Sequence, residues 1–439
     1  MRFLYNILFT LFLVITAPFY FLKMWRRGNW RERFGERFGS FEPKVKQALT
    51  NRNTLWLHAV SVGEVNICTH LIQSLQPRLP NLKLVVSTTT STGMGELKKR
   101  LPTHILKIYY PIDRRLWTSR SLATIHPEAV ILVEAEIWPN FLWRCRDMGI
   151  PVFLINARLS ERSLVGYRIW GFLFRPLFAG LAGVGCQNEA DAEKLRKLGC
   201  RPEAIHVLGS LKFDAVQIGE RRLTDTSTVL KQMGVGADQP ILVAGSTHAG
   251  EEALIGKVIL ALRARHPNLF LVVVPRHAER SKQAGNDLEG LGLRVAYRTE
   301  LTQTTQHAAG SKDCLIVNTT GELKDFYKHA SLIFVGKSLR AHGGQNPIEP
   351  GALGKAMLFG PNMENFRAIA DAFLAAGGAV QVKDPRELEQ TVDALLDNPA
   401  RREEMGKAAL KVVQENKGAM DRTVEMIVEQ LKDRRILVK

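Results

Sequence analysis

Paired cysteines are missing from this sequence. Its five cysteines, Cys68, Cys145, Cys186, Cys200 and Cys314, are scattered, odd in number and without a CxxC pair, which excludes a disulfide framework and gives no zinc-site spacing. The catalytic part therefore belongs in a reducing compartment. The eleven histidines form no HExxH and no His-rich tract, so no protein-held metal is expected. Long Pro, Ser or Gln tracts are also lacking. With 45% hydrophobic and 23% charged residues, the chain should fold throughout. At 439 residues it is too long for one core and suits two domains.

Acidic residues are in deficit, 43 against 60 Lys and Arg, leaving a net charge of +17. That excess calls for an acidic partner, either nucleic acid or an anionic membrane surface carrying an anionic substrate. No zinc-finger spacing and no RNP-type aromatic stretch occurs, and the densest basic cluster directly follows an apolar segment. The membrane is therefore the expected partner, and no nucleic acid is expected.

Charge is absent altogether from residues 3–22, FLYNILFTLFLVITAPFYFL. Twenty residues at ~1.5 Å each match a ~30 Å hydrocarbon core. A signal peptide is the competing reading, but only Arg2 precedes the run, and Trp25 and Arg26 stand where small cleavage-site residues would be. An uncleaved anchor over residues 1–22 is expected. Lys23, Arg26, Arg27, Arg31, Arg33 and Arg37 follow, against Glu32 and Glu36. The positive-inside rule then puts the rest of the chain in the cytoplasm, with Trp25 and Trp30 at the interface. A helix lying in the interface and kinked at Pro18 would serve equally, and the sequence does not separate the two.

From Leu55 the chain repeats an apolar β-rich run, a turn and an amphipathic helix, the pattern of parallel βαβ folding. The runs are LWLHAV, LKLVVSTTT, AVILVEAE, PVFLINA, GVGCQN and IHVLGS, then ILVAGST, LFLVVVPR, LRVAYR, CLIVNTT, SLIFVG and AMLFG. The expected fold is α/β with two Rossmann-like domains facing a cleft, residues 23–218 and 219–439. The final stretch from Arg386 reads as structural packing. Ligands collect beyond the carboxyl ends of such strands, so the residues after each run are the candidates.

Glu64, in HAVSVGE, opens a helix after a strand. It is either a capping residue, with Ser61 three positions earlier fitting a capping box, or a general base for an acceptor hydroxyl. In VEAEIWPN, Glu134 and Glu136 would face opposite sides if the strand continued. Lys212, in GSLKFD, is either solvated or near a donor's anionic groups. The turn GSTHAG at residues 245–250 suits an anion but is neither a P-loop nor a dinucleotide fingerprint. Pro275 and Arg276 end an apolar strand, where an arginine can pair with a phosphate or make a surface salt bridge. Thr320, Gly321 and Glu322 could wrap backbone around a base. Asn346, Pro347, Ile348 and Glu349 follow two glycines and start a helix, with Glu349 able to accept from a ribose diol.

HAVSVGE, VEAEIWPN, INARLSERS, GSLKFD, STHAGEE, VPRHAER, TTGELKDFY and GGQNPIEP, with the basic RERFGERFG stretch, match in type and order. Together they resemble the 3-deoxy-D-manno-octulosonic acid (Kdo) transferases of lipopolysaccharide synthesis, family 30 glycosyltransferases, over nearly the whole chain. The resemblance implies a GT-B fold, CMP-Kdo as donor, no other cofactor, a lipid A precursor (lipid IVA) as acceptor and release of CMP at the bacterial inner membrane. By the same carry-over Glu64 is the proton acceptor, and Glu134 and Lys212 assist the transition state. CMP contacts fall on Pro275, Arg276, Thr320, Gly321, Glu322, Asn346, Pro347, Ile348 and Glu349. Thr320 departs from the bulkier, methionine-like residue of relatives. A nucleotide-sugar epimerase on the same architecture would need no anchor, and a non-catalytic lipid-binding scaffold would have little use for acids and an arginine at successive strand ends.

Overall fold

The computed structural model describes residues 1–26, 31–134, 136–215 and 225–433. They form two compact units, Met1–Ala215 with Lys417–Lys439, and Val216–Asn416.

In the first unit the strands are β1 (Thr54–His58), β2 (Lys83–Thr88), β3 (Leu106–Tyr109), β4 (Pro127–Val133), β5 (Val152–Ala157), β6 (Gly183–Cys186) and β7 (Ile205–Val207). They pair in the order β3-β2-β1-β4-β5-β6-β7, all parallel. The second unit carries β8 (Ile241–Thr247), β9 (Phe270–Pro275), β10 (Val295–Tyr297), β11 (Cys314–Ile316), β12 (Leu332–Val335), β13 (Met357–Phe359) and β14 (Ala379–Gln381). Their order is β10-β11-β9-β8-β12-β13-β14, again all parallel. Helices cover both faces, so β1, β5 and β9 are buried along their whole length. That burial is why they read as unbroken apolar runs rather than alternating ones. Strand order reverses between β1 and β4 and between β8 and β12, the places where doubly wound sheets open a crevice.

All twelve expected runs contain a strand, and the α/β expectation with two parallel-sheet units holds. The division of the chain differs at its end. The helix Ala419–Asp433 returns to the first unit, where Met420, Ile427 and Leu431 join Leu71, Leu75 and Leu211 in one core. Asp214 fixes the return by accepting from Gly418 N at 2.8 Å and Met420 N at 2.7 Å. The second unit therefore ends at Asn416 rather than 439. The expected boundary at 218/219 lies outside the described residues.

Among the described residues one helix, Arg2–Arg26, is long and apolar enough to cross a membrane, with a mean hydropathy of 1.8 over Arg2–Leu22. Two cations of the basic segment after it, Arg33 and Arg37, are engaged within the first unit. Arg33 pairs with the buried Glu36 at 2.7 Å and donates to Lys107 O. Arg37 donates to Thr89 O at 2.7 Å and lies 4.0 Å over the Tyr109 ring. Arg27 and Trp30 lie outside the described residues.

Candidate functional site

In the first unit the candidates gather at the carboxyl ends of β1 and β4, the strands that flank the reversal of order. Ser61 is the N-cap of the helix Val62–Leu75. Its hydroxyl accepts from Glu64 N at 3.2 Å, while the Glu64 carboxylate accepts from Val60 N at 2.8 Å and Ser61 N at 3.3 Å. The capping box is thus real. Glu64 is only 8% exposed, and burial pushes its carboxyl up to about 7. The Val60 and Ser61 bonds oppose the rise; the charges of Glu134 and Glu136 add to it. A carboxyl poised near neutrality at a strand end can take a proton, so capping and base chemistry are compatible here.

β4 stops at Val133, and Glu134 takes a left-handed backbone at φ 64°. The alternation of a continuing strand therefore does not apply to the two acids, and the charges of both raise the carboxyl of Glu64. Left-handed backbone is unfavourable for a side chain with a Cβ and persists where neighbours hold it. Here Glu134 N donates to Ile155 O at 2.9 Å, and the carboxylate meets Lys212 Nζ at 3.3 Å. Glu136 accepts from Trp138 Nε1 at 2.8 Å, and burial raises its carboxyl.

Asn156 and His58 were not singled out from the sequence. Asn156, at φ 51° near the end of β5, sits 3.5 Å from Glu134 Oε1 through Nδ2 and accepts from Leu211 N at 3.1 Å. It thereby ties the Glu134 loop to the turn carrying Lys212. An asparagine at a strand end, a residue type that tolerates left-handed backbone, was the available signal. His58 is fully buried and stacked on Tyr110, and its ring is held neutral because burial lowers its pKa to about 3. Its Nδ1 meets Ser87 Oγ at 2.9 Å, whereas the buried Nε2, 3.9 Å from Glu136, has no hydrogen-bond partner.

In the second unit the candidates again lie after β8, β9, β11 and β12. Arg276 follows β9, exposed, its N–H donating to Thr247 O at 3.1 Å. Glu349 lies in the short helix Ile348–Ala352, whose first N–H donates to Asn346 Oδ1 at 3.1 Å. Burial raises the Glu349 carboxyl, against the pull of Lys324, Asn346 and Arg276. Arg276, Asn346 and Glu349 are thus brought together, and Lys324 joins them from the helix Leu323–His329. Gly343 and Gly344, at φ 109° and 68°, turn the chain into this helix, and Gly344 N donates to Lys337 O.

Thr320 and Gly321 are exposed. The Glu322 carboxylate is engaged by Arg298 at 3.3 Å and by the Thr319 hydroxyl, so this turn presents backbone rather than an acid. In STHAGEE, Glu252 binds Arg280 and Thr247, and the fully buried Glu251 accepts from the N–H groups of His248, Lys337, Ser338 and Leu339. Both acids hold the loops after β8 and β12. Among the described residues one His/Asp group of metal-ligating type occurs, His266, Asp393 and Asp397. It lies before β9, away from the strand ends above, and Arg265 already pairs with Asp393.

Residues 30–215 match the family model described as 3-deoxy-D-manno-octulosonic-acid transferase (kdotransferase), and residues 252–412 match that for glycosyl transferases group 1. The chain is 30% identical to a 3-deoxy-D-manno-octulosonic acid transferase of Haemophilus influenzae, covering 97% of this chain and 98% of the relative. It is 33% identical to that of Bordetella pertussis, over 96% and 99%. A UDP-GlcNAc 2-epimerase structure from Neisseria meningitidis superposes with a TM-score of 0.58 at 16% identity, covering 86% of this chain and 100% of that one. That last likeness bears on the fold alone.

Proposed function

Because the chain belongs to the 3-deoxy-D-manno-octulosonic acid transferase family and is a glycosyltransferase, we propose that it moves Kdo from CMP-Kdo onto a hydroxyl of a lipid A precursor such as lipid IVA. The observation that carries this reading is Glu64, a nearly buried carboxyl raised to about 7 at the β1/β4 strand ends. In this reading Glu64 takes the proton of the acceptor hydroxyl as its oxygen bonds to the anomeric carbon of Kdo. The bond from that carbon to the CMP phosphate breaks, and its electron pair leaves with CMP. The Glu134–Lys212 pair fixes a cation and an anion beside the base, where they stabilise the charge that develops.

The second unit takes the donor. Arg276 and Lys324 supply positive charge for the CMP phosphate, Glu349 accepts from the ribose diol, and the backbone of Pro275, Thr320, Gly321, Asn346, Pro347 and Ile348, with Glu322 buttressing its turn, shapes the base pocket. CMP carries its charge on one phosphate, so these groups can assist departure without a bound metal or further cofactor. The lipid acceptor and the apolar helix Arg2–Arg26 fit an anionic inner membrane, with both units on the cytoplasmic side. No nucleic acid is required. The test is CMP release from CMP-Kdo by purified protein with and without lipid acceptor, for wild type and Glu64→Gln. Acceptor-dependent release lost in the variant supports the reading. Acceptor-independent release, or none by wild type, overturns it.

A further inference from the structure

The first helix carries polar residues that a tether buried in lipid has no use for. The Arg2 guanidinium donates two bonds to Asp147, at 2.7 and 2.8 Å. Tyr5 donates its hydroxyl to Asp113 Oδ2 at 2.8 Å. Asp113 is buried at the start of the helix Pro139–Asp147, where it also accepts from Asn140 N and Phe141 N at 3.0 and 2.9 Å. The amides of Asn6 and Asn140 meet at 3.1 to 3.2 Å. Between these bonds the Tyr5 ring packs edge-on against Trp143 and Phe9 against Trp138. Partly buried positions recur at Tyr5, Phe9, Leu13 and Ala17, one face of a helix, while Val14, Ile15 and Phe19 are 67–77% exposed.

The chain after the helix also belongs to the first unit. The helix is described to Arg26, and by Arg33 the chain is back on the first unit, bonded to Lys107 O. With the turns up to Phe9 held on the unit, about 17 residues or ~25 Å of helix remain. That is short of a ~30 Å hydrocarbon core, and its far end must return to the same unit. A crossing helix would put Arg2 and Asn6 on the opposite side of the membrane from Asp147 and Asn140, leaving Asp113 without its tyrosine.

We propose that the helix Arg2–Arg26 is a monotopic anchor, clamped to the first unit through Arg2, Tyr5 and Asn6, with both ends on the side of the membrane that carries the sheets. Its occupant is the lipid interface of an anionic leaflet, into which the exposed apolar face sinks to headgroup and upper acyl depth. A cavity of about 450 Å³ beside Asn6, flanked by Arg114, Arg115 and the exposed Leu116, presents cations where lipid phosphates would lie. The clamp also sets where the membrane meets the enzyme. Trp138, against which Phe9 packs, is the residue that donates to Glu136, so lipid is held at the strand-end edge carrying Glu64. This inference rests on the membrane part of the proposed function and is independent of the sugar chemistry.

The test uses a single reporter cysteine. All five native cysteines are buried, so a single cysteine inserted between Met1 and Arg2, at the polar end of the helix, supplies the accessible thiol in the full chain. A membrane-impermeant maleimide is applied to intact spheroplasts and to inverted inner-membrane vesicles. Labelling in inverted vesicles only is expected; labelling in intact spheroplasts would overturn the inference and leave the proposed function standing. In a second readout, Asn6→Cys with Asn140→Cys should be joined by a short bismaleimide in vesicles, and membrane-bound protein that is never joined sinks the clamp. Recovery of wild type in the soluble fraction at low salt would instead overturn the membrane reading and, with it, this inference.

Discussion

Replacing Glu64 by Gln separates the two roles that the residue combines. The side chain keeps its volume, and its one remaining oxygen can accept from Val60 N or Ser61 N but not both. A glutamine still serves a capping box, so the structural cost is one weakened bond, about 0.5 to 1.5 kcal/mol. That cost is offset in part because an amide escapes the burial that raises the carboxyl. The change in folding stability should therefore stay within ~1 kcal/mol, a few degrees or less in Tm. Loss of a general base costs typically 10²- to 10⁴-fold in rate, about 3 to 5 kcal/mol in the barrier. Acceptor-dependent CMP release and thermal unfolding, measured on the same preparation, read the two terms apart. Turnover within threefold of wild type refutes the base assignment. A large drop in Tm with proportionate loss of activity would make Glu64 a cap and nothing more.

Transfer should rise with pH and level off above about 7, as Glu64 ionises, and kcat/KM between pH 5.5 and 8.5 checks this; a profile flat through 7 removes Glu64 from the reaction. Folding stability should run the other way. Glu64 at about 7 and Asp113 at about 6 lie above their ordinary values of 4.5 and 3.8, so the folded state holds more protons in that window. Their contribution is full below about pH 4 and is lost as pH rises to 7, which denaturant unfolding across this range would show. Arg276→Ala and Glu349→Ala should each weaken CMP binding by roughly 1.5 to 3 kcal/mol if a charge-assisted bond is lost; calorimetric titration with unchanged affinity in both moves the nucleotide elsewhere. Deleting residues 1–22 should destabilise the first unit by about 1 to 3 kcal/mol, since Asp113 loses the Tyr5 hydroxyl and Trp143 its ring contact. Equal urea midpoints for full-length and truncated protein would show that the docked turns contribute nothing.

The docking of Tyr5 on the first unit marks one limit of what a sequence conveys. Residues 3–22 announce an apolar helix, but nothing local states that Tyr5 will meet Asp113, 108 positions away. The same limit applies to the helix Ala419–Asp433. Its amphipathic pattern says that a face is buried, and only the fold says that the face belongs to the first unit. Strands were legible where both faces are covered, because burial there demands unbroken apolar runs. The two strands that gave no run, β3 and β14, are four and three residues long, at sheet edges, and β3 is interrupted by Lys107. Arg33 and Arg37 read as membrane-facing cations because charge is visible in sequence, whereas their partners Glu36, Thr89 and Tyr109 come together only in the fold.

HAVSVGE and GSTHAGE look alike: a strand, a small-residue turn and a glutamate opening a helix. Their chemistry parts on the number of donors each carboxylate meets. An ionised carboxylate offers about four lone-pair sites. Glu251 accepts from His248 N and Lys337 N on Oε2 and from Ser338 N and Leu339 N on Oε1, so all four sites are filled by backbone. It is a structural knot between the loops after β8 and β12. Glu64 accepts two backbone bonds, one on each oxygen, and its charged neighbours Glu134 and Glu136 favour protonation. It is held in place yet keeps capacity for one more hydrogen. Sequence spacing fixes neither count, because three of the four donors at Glu251 come from a loop 86 to 88 residues away. Of two glutamates opening a helix beside the reversal of strand order in their sheet, Glu64 keeps lone pairs that backbone does not fill and Glu251 does not.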